Sequence, residues 1–156
     1  MTIAEICTRD VVVATRDITV RNAAKLMREY HVGCIVLVEE QGGKRKPCGI
    51  LTDRDIVVAV TALGLDAEVI RAGDVAAKEL LELSETAGIA ETVAVMRMKG
   101  VRRLPVVDKN GTLIGIIAAD DVLGLLAEEL QGLATMVARE HRKENLERRT
   151  AVPGRA

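Results

Sequence analysis

The chain has 156 residues, 49% of them hydrophobic, which is enough for one compact domain or two half-size units sharing a core and excludes wholesale disorder. Aromatic residues make up only 1%, with Tyr30 alone and neither Phe nor Trp. The stacking platforms of most single-strand nucleic-acid binders are therefore missing, and Val, Ile, Leu, Ala and Met must build the core. Twenty-two basic residues against 23 acidic ones leave a formal charge of −1, so nothing global attracts a polyanion.

The opening MTIAEICTRD has neither a charged n-region nor an apolar h-region, and Cys7, Cys34 and Cys48 are odd in number and scattered, so a reducing cytoplasm is expected. Helix-spaced Val20, Ala23, Ala24 and Met27 follow, and His31 is expected to end that helix rather than bind a metal. Next come CIVLVEE, a loop over QGGKRKP, and CGIL: strand, hairpin, strand. The longest apolar runs, such as Ile35 to Val38, are too short to span a bilayer. A helix is predicted from Asp53 to about Leu63.

The same skeleton then returns. Ile89, Thr92, Val93 and Met96 match the first helical series, Gly100-Val101 matches His31-Val32, and RLPVVD, KNG and TLIGII give a second hairpin around Asn110-Gly111. Gly49 and Gly115 fall at equivalent strand positions, where a missing side chain suits either plain packing or close approach by a neighbour or ligand. The offset between the repeats shortens by three residues after the first hairpin, which assigns an insertion to GGKRK. The reading is α+β: two pseudo-symmetric units of short strand, helix, strand, strand and helix, packed through their sheets. Such a pair creates two related clefts between the repeats.

Beyond the second unit, Leu126, Leu130, Leu133 and Val137 alternate spacings of four and three, a narrow helical seam that could lie on the module or pair with a second copy. The boundaries expected are 1–68 and 69–128 for the repeats, 129–149 for a C-terminal helix with possible dimerisation, and 150–156 for a flexible tail. His141 has no second ligand at metal spacing, and no Ser-His-Asp, Cys-His or paired-carboxylate set can be assembled, so neither a metal nor catalysis is expected.

GILTDRDI at 49–56, following VGCIVLVE, together with VRRLPVVDKNGTLIGII at 101–117, resembles the signature of the cystathionine-β-synthase (CBS) domain, and the resemblance covers about residues 2–128. It implies a regulatory sensor of an adenosine nucleotide (AMP, ADP or ATP), with no catalytic cofactor. In this family a Thr or Ser three residues before an Asp meets the ligand's ribose and phosphate, roles that fall on Thr52 and Asp55; helix capping by Thr52 or Asp53 is the plainer alternative. The opposite repeat would add Val101, Arg102, Arg103 and Leu104. Adjacent strand residues face opposite ways, so at most one arginine aims inward, and the resemblance favours Arg103.

A second, weaker cleft would combine Thr8, Gly33, Cys34, Ile35, Ala118 and Asp121, with Ala118 lacking the hydroxyl. Ala77, where the first repeat has Thr8, removes one hydroxyl from the better cleft too. The partners expected are an adenosine-containing small molecule, a second copy in a homodimer, and an unknown protein target, with no membrane. The alternatives are an interaction module with vestigial clefts and a sensor of NAD or S-adenosylmethionine. A nucleic-acid role for Lys44-Arg45-Lys46 is the most remote, since such a turn is usually just solvated.

Overall fold

The structure, a computed structural model, describes residues 1–77 and 80–151, the side chains of 149–151 excepted. Most of the tail expected over 150–156 lies outside the described residues. The chain divides into two compact units, 1–119 and 120–156. Among the described residues no helix is long and apolar enough to cross a membrane.

The first unit contains the duplication. Its first repeat runs α1 (Ile3–Ile6), β1 (Val13–Ala14), α2 (Val20–Tyr30), β2 (Cys34–Gln41), β3 (Lys44–Thr52) and α3 (Asp53–Ile56), the last continued by a π-helical turn over Val57–Thr61. Its second runs α4 (Ala72–Val75), β4 (Leu83–Ser84), α5 (Ile89–Lys99), β5 (Arg103–Val107) and β6 (Leu113–Ala118), and α6 (Ala119–Ala151) begins where this unit ends. Each repeat has a three-stranded sheet in sequence order, its short first strand parallel to the second and the last two antiparallel. The second unit is the remainder of α6.

The helices follow the sequence pattern except at Val93, expected among the helix-spaced positions of α5 but 40% exposed. Val20, Ala23 and Met27 are buried along α2, and Thr92 and Met96 along α5. Thr19 caps α2 by accepting from the Asn22 N–H, and both helices stop at a left-handed residue, His31 (φ 54°) and Gly100 (φ 67°). His31 thus ends its helix as expected.

The first hairpin differs from expectation. Lys44, Arg45 and Lys46 are not in a loop but in β3, paired with Gln41, Glu40 and Glu39, around a two-residue turn of Gly42 and Gly43 at φ 61° and 74°. Two successive positive φ angles suit the twist of a tight hairpin, and glycine adopts them without strain. The insertion therefore lengthens the ribbon, and the basic run is set against two glutamates.

Also unexpected is what precedes each short strand. The two leading turns are exchanged between the repeats. The Ile3 N–H donates to Ala87 C=O at 2.9 Å and, equivalently, the Ala72 N–H donates to Ile18 C=O at 2.8 Å. Thr8 and Ile116 exchange two backbone hydrogen bonds of 2.9 Å, laying the first repeat's leader on the second repeat's β6. Ala76 lies against Gly49 of β3, so the converse also holds. Arg16 clamps one such junction, donating to Cys48 C=O at 3.0 Å and Gly73 C=O at 2.9 Å. Ile3 and Ala72 are fully buried, which anchors both leaders by apolar burial as well.

Candidate functional site

The strand-to-helix junction of the first repeat is built by a capping box. Thr52 Oγ1 accepts from the Asp55 N–H at 3.1 Å, and Asp55 Oδ2 accepts from the Thr52 N–H at 2.9 Å and from the Thr52 hydroxyl at 2.7 Å. Capping thus engages Asp55 as well as Thr52, so the spacing of the pair is accounted for by helix initiation alone. Both residues are half-buried, and the second carboxylate oxygen, Oδ1, takes no hydrogen bond among the described residues. The junction can therefore accept a further donor without giving up the cap.

Around it stand residues assigned from sequence to different clefts. Cys34 pairs with Thr52 across the ribbon, and Gly33 C=O accepts from the Asp53 N–H at 3.1 Å. A Cβ on Gly33 would lie 3.3 Å from Asp53 Oδ2, so that glycine leaves room for the Asp53 carboxylate. Burial pushes the Cys34 thiol above its usual range, while the Arg103 guanidinium draws it down and Asp53 pushes it further up. The Arg103 guanidinium of the second repeat thus acts on the Cys34 thiol of the first. A neutral thiol in such a place is a weak nucleophile.

The two arginines differ in burial. Arg103 opens β5 and is half-buried; Arg102 is exposed, and its carbonyl accepts from the Ala119 N–H at 2.8 Å, the counterpart of the Gly33–Asp53 bond. Val101 is half-buried. Leu104 and Ile35 are buried core residues whose side chains serve packing, paired with Ile117 and Leu51. Ala118 pairs with Arg103, and Thr8 is exposed but joined to Ile116, two residues from Ala118. Asp121 belongs to the second unit, in the first turn of α6.

The closeness of Gly33 to the Asp53 carboxylate was not read from the sequence. The signal was Gly33, but it becomes readable only through the register. Counting back from the Gly42-Gly43 turn puts Cys34 opposite Leu51; a bulge between Leu37 and Val38 moves it to Thr52 and the helix start. An open groove of about 290 Å³ beside β1, lined by Val13, Ala14, Thr15, Val38, Glu40 and Arg45, shares no residue with either predicted set. Among the described residues no group of three or more His, Cys, Asp or Glu side chains is placed to hold a metal ion.

The family profile of the CBS domain matches residues 3–62 and 72–128, the two repeats of the fold. The chain belongs to the CBS domain family. It is 37% identical over 123 residues to an uncharacterised protein of Methanopyrus kandleri, covering 79% of this chain but only 61% of that protein's length. It is 36% identical over 115 residues to the CBS domain-containing protein YhcV of Bacillus subtilis, covering 74% of this chain and 78% of YhcV. A solved CBS domain protein from Pyrobaculum aerophilum complexed with AMP is similar at a TM-score of 0.71 and 27% identity, over 82% of this chain and 99% of that one. In CBS terms, the Thr52–Asp55 junction belongs to the first repeat and Arg103 to the second.

Proposed function

We propose that this CBS pair is a non-enzymatic regulatory module that binds an adenosine nucleotide, AMP, ADP or ATP. Its first repeat spans 1–68 and its second 69–128, and it works in the cytoplasm as a homodimer acting on a protein target. What supports the reading is the half-buried Thr52–Asp55 junction, whose Asp55 Oδ1 takes no hydrogen bond among the described residues, with Arg103 of the other repeat acting on Cys34, the strand partner of Thr52. Asp55 Oδ1 accepts a ribose hydroxyl, Thr52 contributes its hydroxyl oxygen, and Arg103 supplies charge-assisted hydrogen bonds to phosphate. Val101, Leu104 and Arg102 frame that strand. The AMP complex of the Pyrobaculum relative supports the ligand class. Regulation follows only if the nucleotide prefers one of two states of the module.

Isothermal titration with adenosine, AMP, ADP, ATP, NAD and S-adenosylmethionine tests this. Arg103→Ala is expected to cost AMP roughly ten- to a hundredfold in affinity, the range of a charge-assisted hydrogen bond, and adenosine much less. Arg102→Ala is expected to change neither. Asp55→Ala abolishes binding while Asp121→Ala retains it. No heat from any compound, or equal losses for AMP and adenosine in the Arg103 variant, would refute the assignment.

One observation favours a second reading, a module that recruits a partner without a ligand: the Thr52–Asp55 pair is already satisfied by the capping box. On that reading no nucleotide binds, and deletion of 131–156 alone abolishes partner capture.

A further inference from the structure

The two repeats close the outer edge of their middle strand differently. In the second, β4 runs on to Ser84 opposite Val107, and the Glu85 N–H donates to Val107 C=O at 2.8 Å. The bulges, between Leu37 and Val38 and between Val106 and Val107, make Val38 the counterpart of Val107, and the pairing of Ala14 with Leu37 makes Arg16 the counterpart of Glu85. In the first repeat, however, β1 stops at Ala14, and the Arg16 N–H does not donate to Val38 C=O.

Beyond that point β2 continues into the longer ribbon, and the register fixes where its backbone groups face. Val38 lies opposite Pro47, which has no N–H, so the two do not form a hydrogen-bonded pair; two residues on, neither do Glu40 and Arg45. The Val36 N–H, in step with them, donates to Val12 C=O on the β1 side at 3.1 Å. Val38 C=O and the N–H and C=O of Glu40 therefore point into the lane that β1 vacates, with no backbone partner among the described residues. The groove of about 290 Å³ opens on the same lane, between Val13, Ala14 and Thr15 on one side and Val38, Glu40 and Arg45 on the other. Val38 is buried, Val13 and Ala14 are half-buried, and Glu40 and Arg45 are exposed.

An acceptor, a donor and an acceptor spanning Val38 to Glu40 match the backbone of an extended chain, and a strand in either direction engages all three. A helix laid there would leave them unmet, because its own backbone groups are used internally. The charges of the ribbon, Glu39 and Glu40 against Arg45 and Lys46, discourage indiscriminate edge pairing, and the lane is only a few residues long, which suits a short segment. We propose that this groove takes an extended peptide segment of a partner protein, added as a strand alongside β2 where β1 ends, with an apolar side chain over Val13 and Val38. The inference does not depend on nucleotide binding.

Selection of short linear peptides from a random displayed library against the full-length protein tests it, with the enriched peptides resynthesised and their affinities measured by fluorescence anisotropy. Methylating the peptide's backbone nitrogens one at a time is expected to abolish binding at every second position and spare it at those between, and in the parent protein the peptide slows exchange of the Glu40 amide. Glu40→Pro removes an outward N–H and no bond of the β2–β3 ladder, so it is expected to keep the parent's thermal midpoint and lose roughly tenfold in peptide affinity. If that variant unfolds, the methylation pattern and the Glu40 exchange decide on the parent alone. No enriched peptide, methylation losses without a period of two, an unprotected Glu40 amide, or parent-like affinity in folded Glu40→Pro overturns the proposal. So does self-association in sedimentation that Glu40→Pro abolishes, which would assign the edge to a second copy.

Discussion

Thr52 and Asp55 carry two roles in one geometry, and the roles separate by substitution. Thr52→Ala removes the N-cap acceptor and the hydroxyl bonded to Asp55, so stability should fall by about 1 kcal/mol. Asp55→Asn retains a carbonyl oxygen that can accept the Thr52 N–H but has no charge. Its midpoint in urea is expected to stay close to that of the parent while its affinity for AMP drops at least several-fold. If Asp55→Asn binds AMP as the parent does, the carboxylate acts only in the cap. The motif marked this junction plainly in the sequence, because Thr-x-x-Asp before a helix is a local pattern. What surrounds it was not legible: Cys34 reaches Thr52 through a bulge, and the room that Gly33 leaves for the Asp53 carboxylate shows only in the folded register.

At the scale of elements, periodicity recovered both long helices of the repeats and both hairpins, since each is a run of local contacts. The turns were less readable. Asn110-Gly111 marks a hairpin, yet the connection is longer than two residues: the Gly111 N–H donates to Asp108 C=O at 2.9 Å, and the Asp108 carboxylate accepts from the N–H groups of Asn110 and Thr112, each at 2.8 Å. These bonds, led by that from Thr112, hold the Asp108 carboxyl below its ordinary range. A depressed carboxylate stabilises the fold above its unfolded pKa of about 3.9 and ceases to as pH falls through the lower folded value. Asp108→Ala should therefore lower the thermal midpoint at neutral pH, and the difference from the parent should shrink as pH drops below about 4. A constant difference across that range would show that the carboxylate's charge plays no part.

The same scale explains Gly115. A bulge precedes it in β6 as one precedes Gly49 in β3, and a Cβ there would stand 2.6 Å from Cys7 Sγ and 3.0 Å from Thr8 C=O. The sequence left open whether a neighbour or a ligand approaches this position; the neighbour is the chain's own leader. Gly115→Ala forces that leader off β6 and is expected to cost on the order of 1–3 kcal/mol in chemical denaturation. Gly49, whose nearest neighbours are Leu37 and Ala76 side chains at ordinary contact distance, should tolerate alanine better.

At the scale of the whole unit 1–119, the exchange of leaders turns two small repeats into one cooperative body. A repeat of this size buries too little to stand well alone, and here each borrows a segment that precedes the other in sequence. Nothing local announces this arrangement. The hydrogen bonds Ile3–Ala87 and Ala72–Ile18 join residues far apart in the chain, and only the duplicated register relates them. Its consequence is that removing the first repeat's leader should loosen the second repeat. A chain lacking residues 1–8 loses the paired bonds between Thr8 and Ile116, uncovers Gly115, and frees the Ala87 carbonyl at the approach to α5. Hydrogen exchange read by mass spectrometry should show faster exchange in peptides covering 113–118 and 85–92 than in those covering 34–41, although the deletion lies in the first repeat. Global unfolding should remain a single transition at a lower midpoint, because the Ala72–Ile18 exchange and the Arg16 clamp still join the two repeats. Protection of 113–118 equal to the parent's, with losses confined to the first repeat, would mean that the leaders are ornaments and that each repeat is stabilised by its own residues.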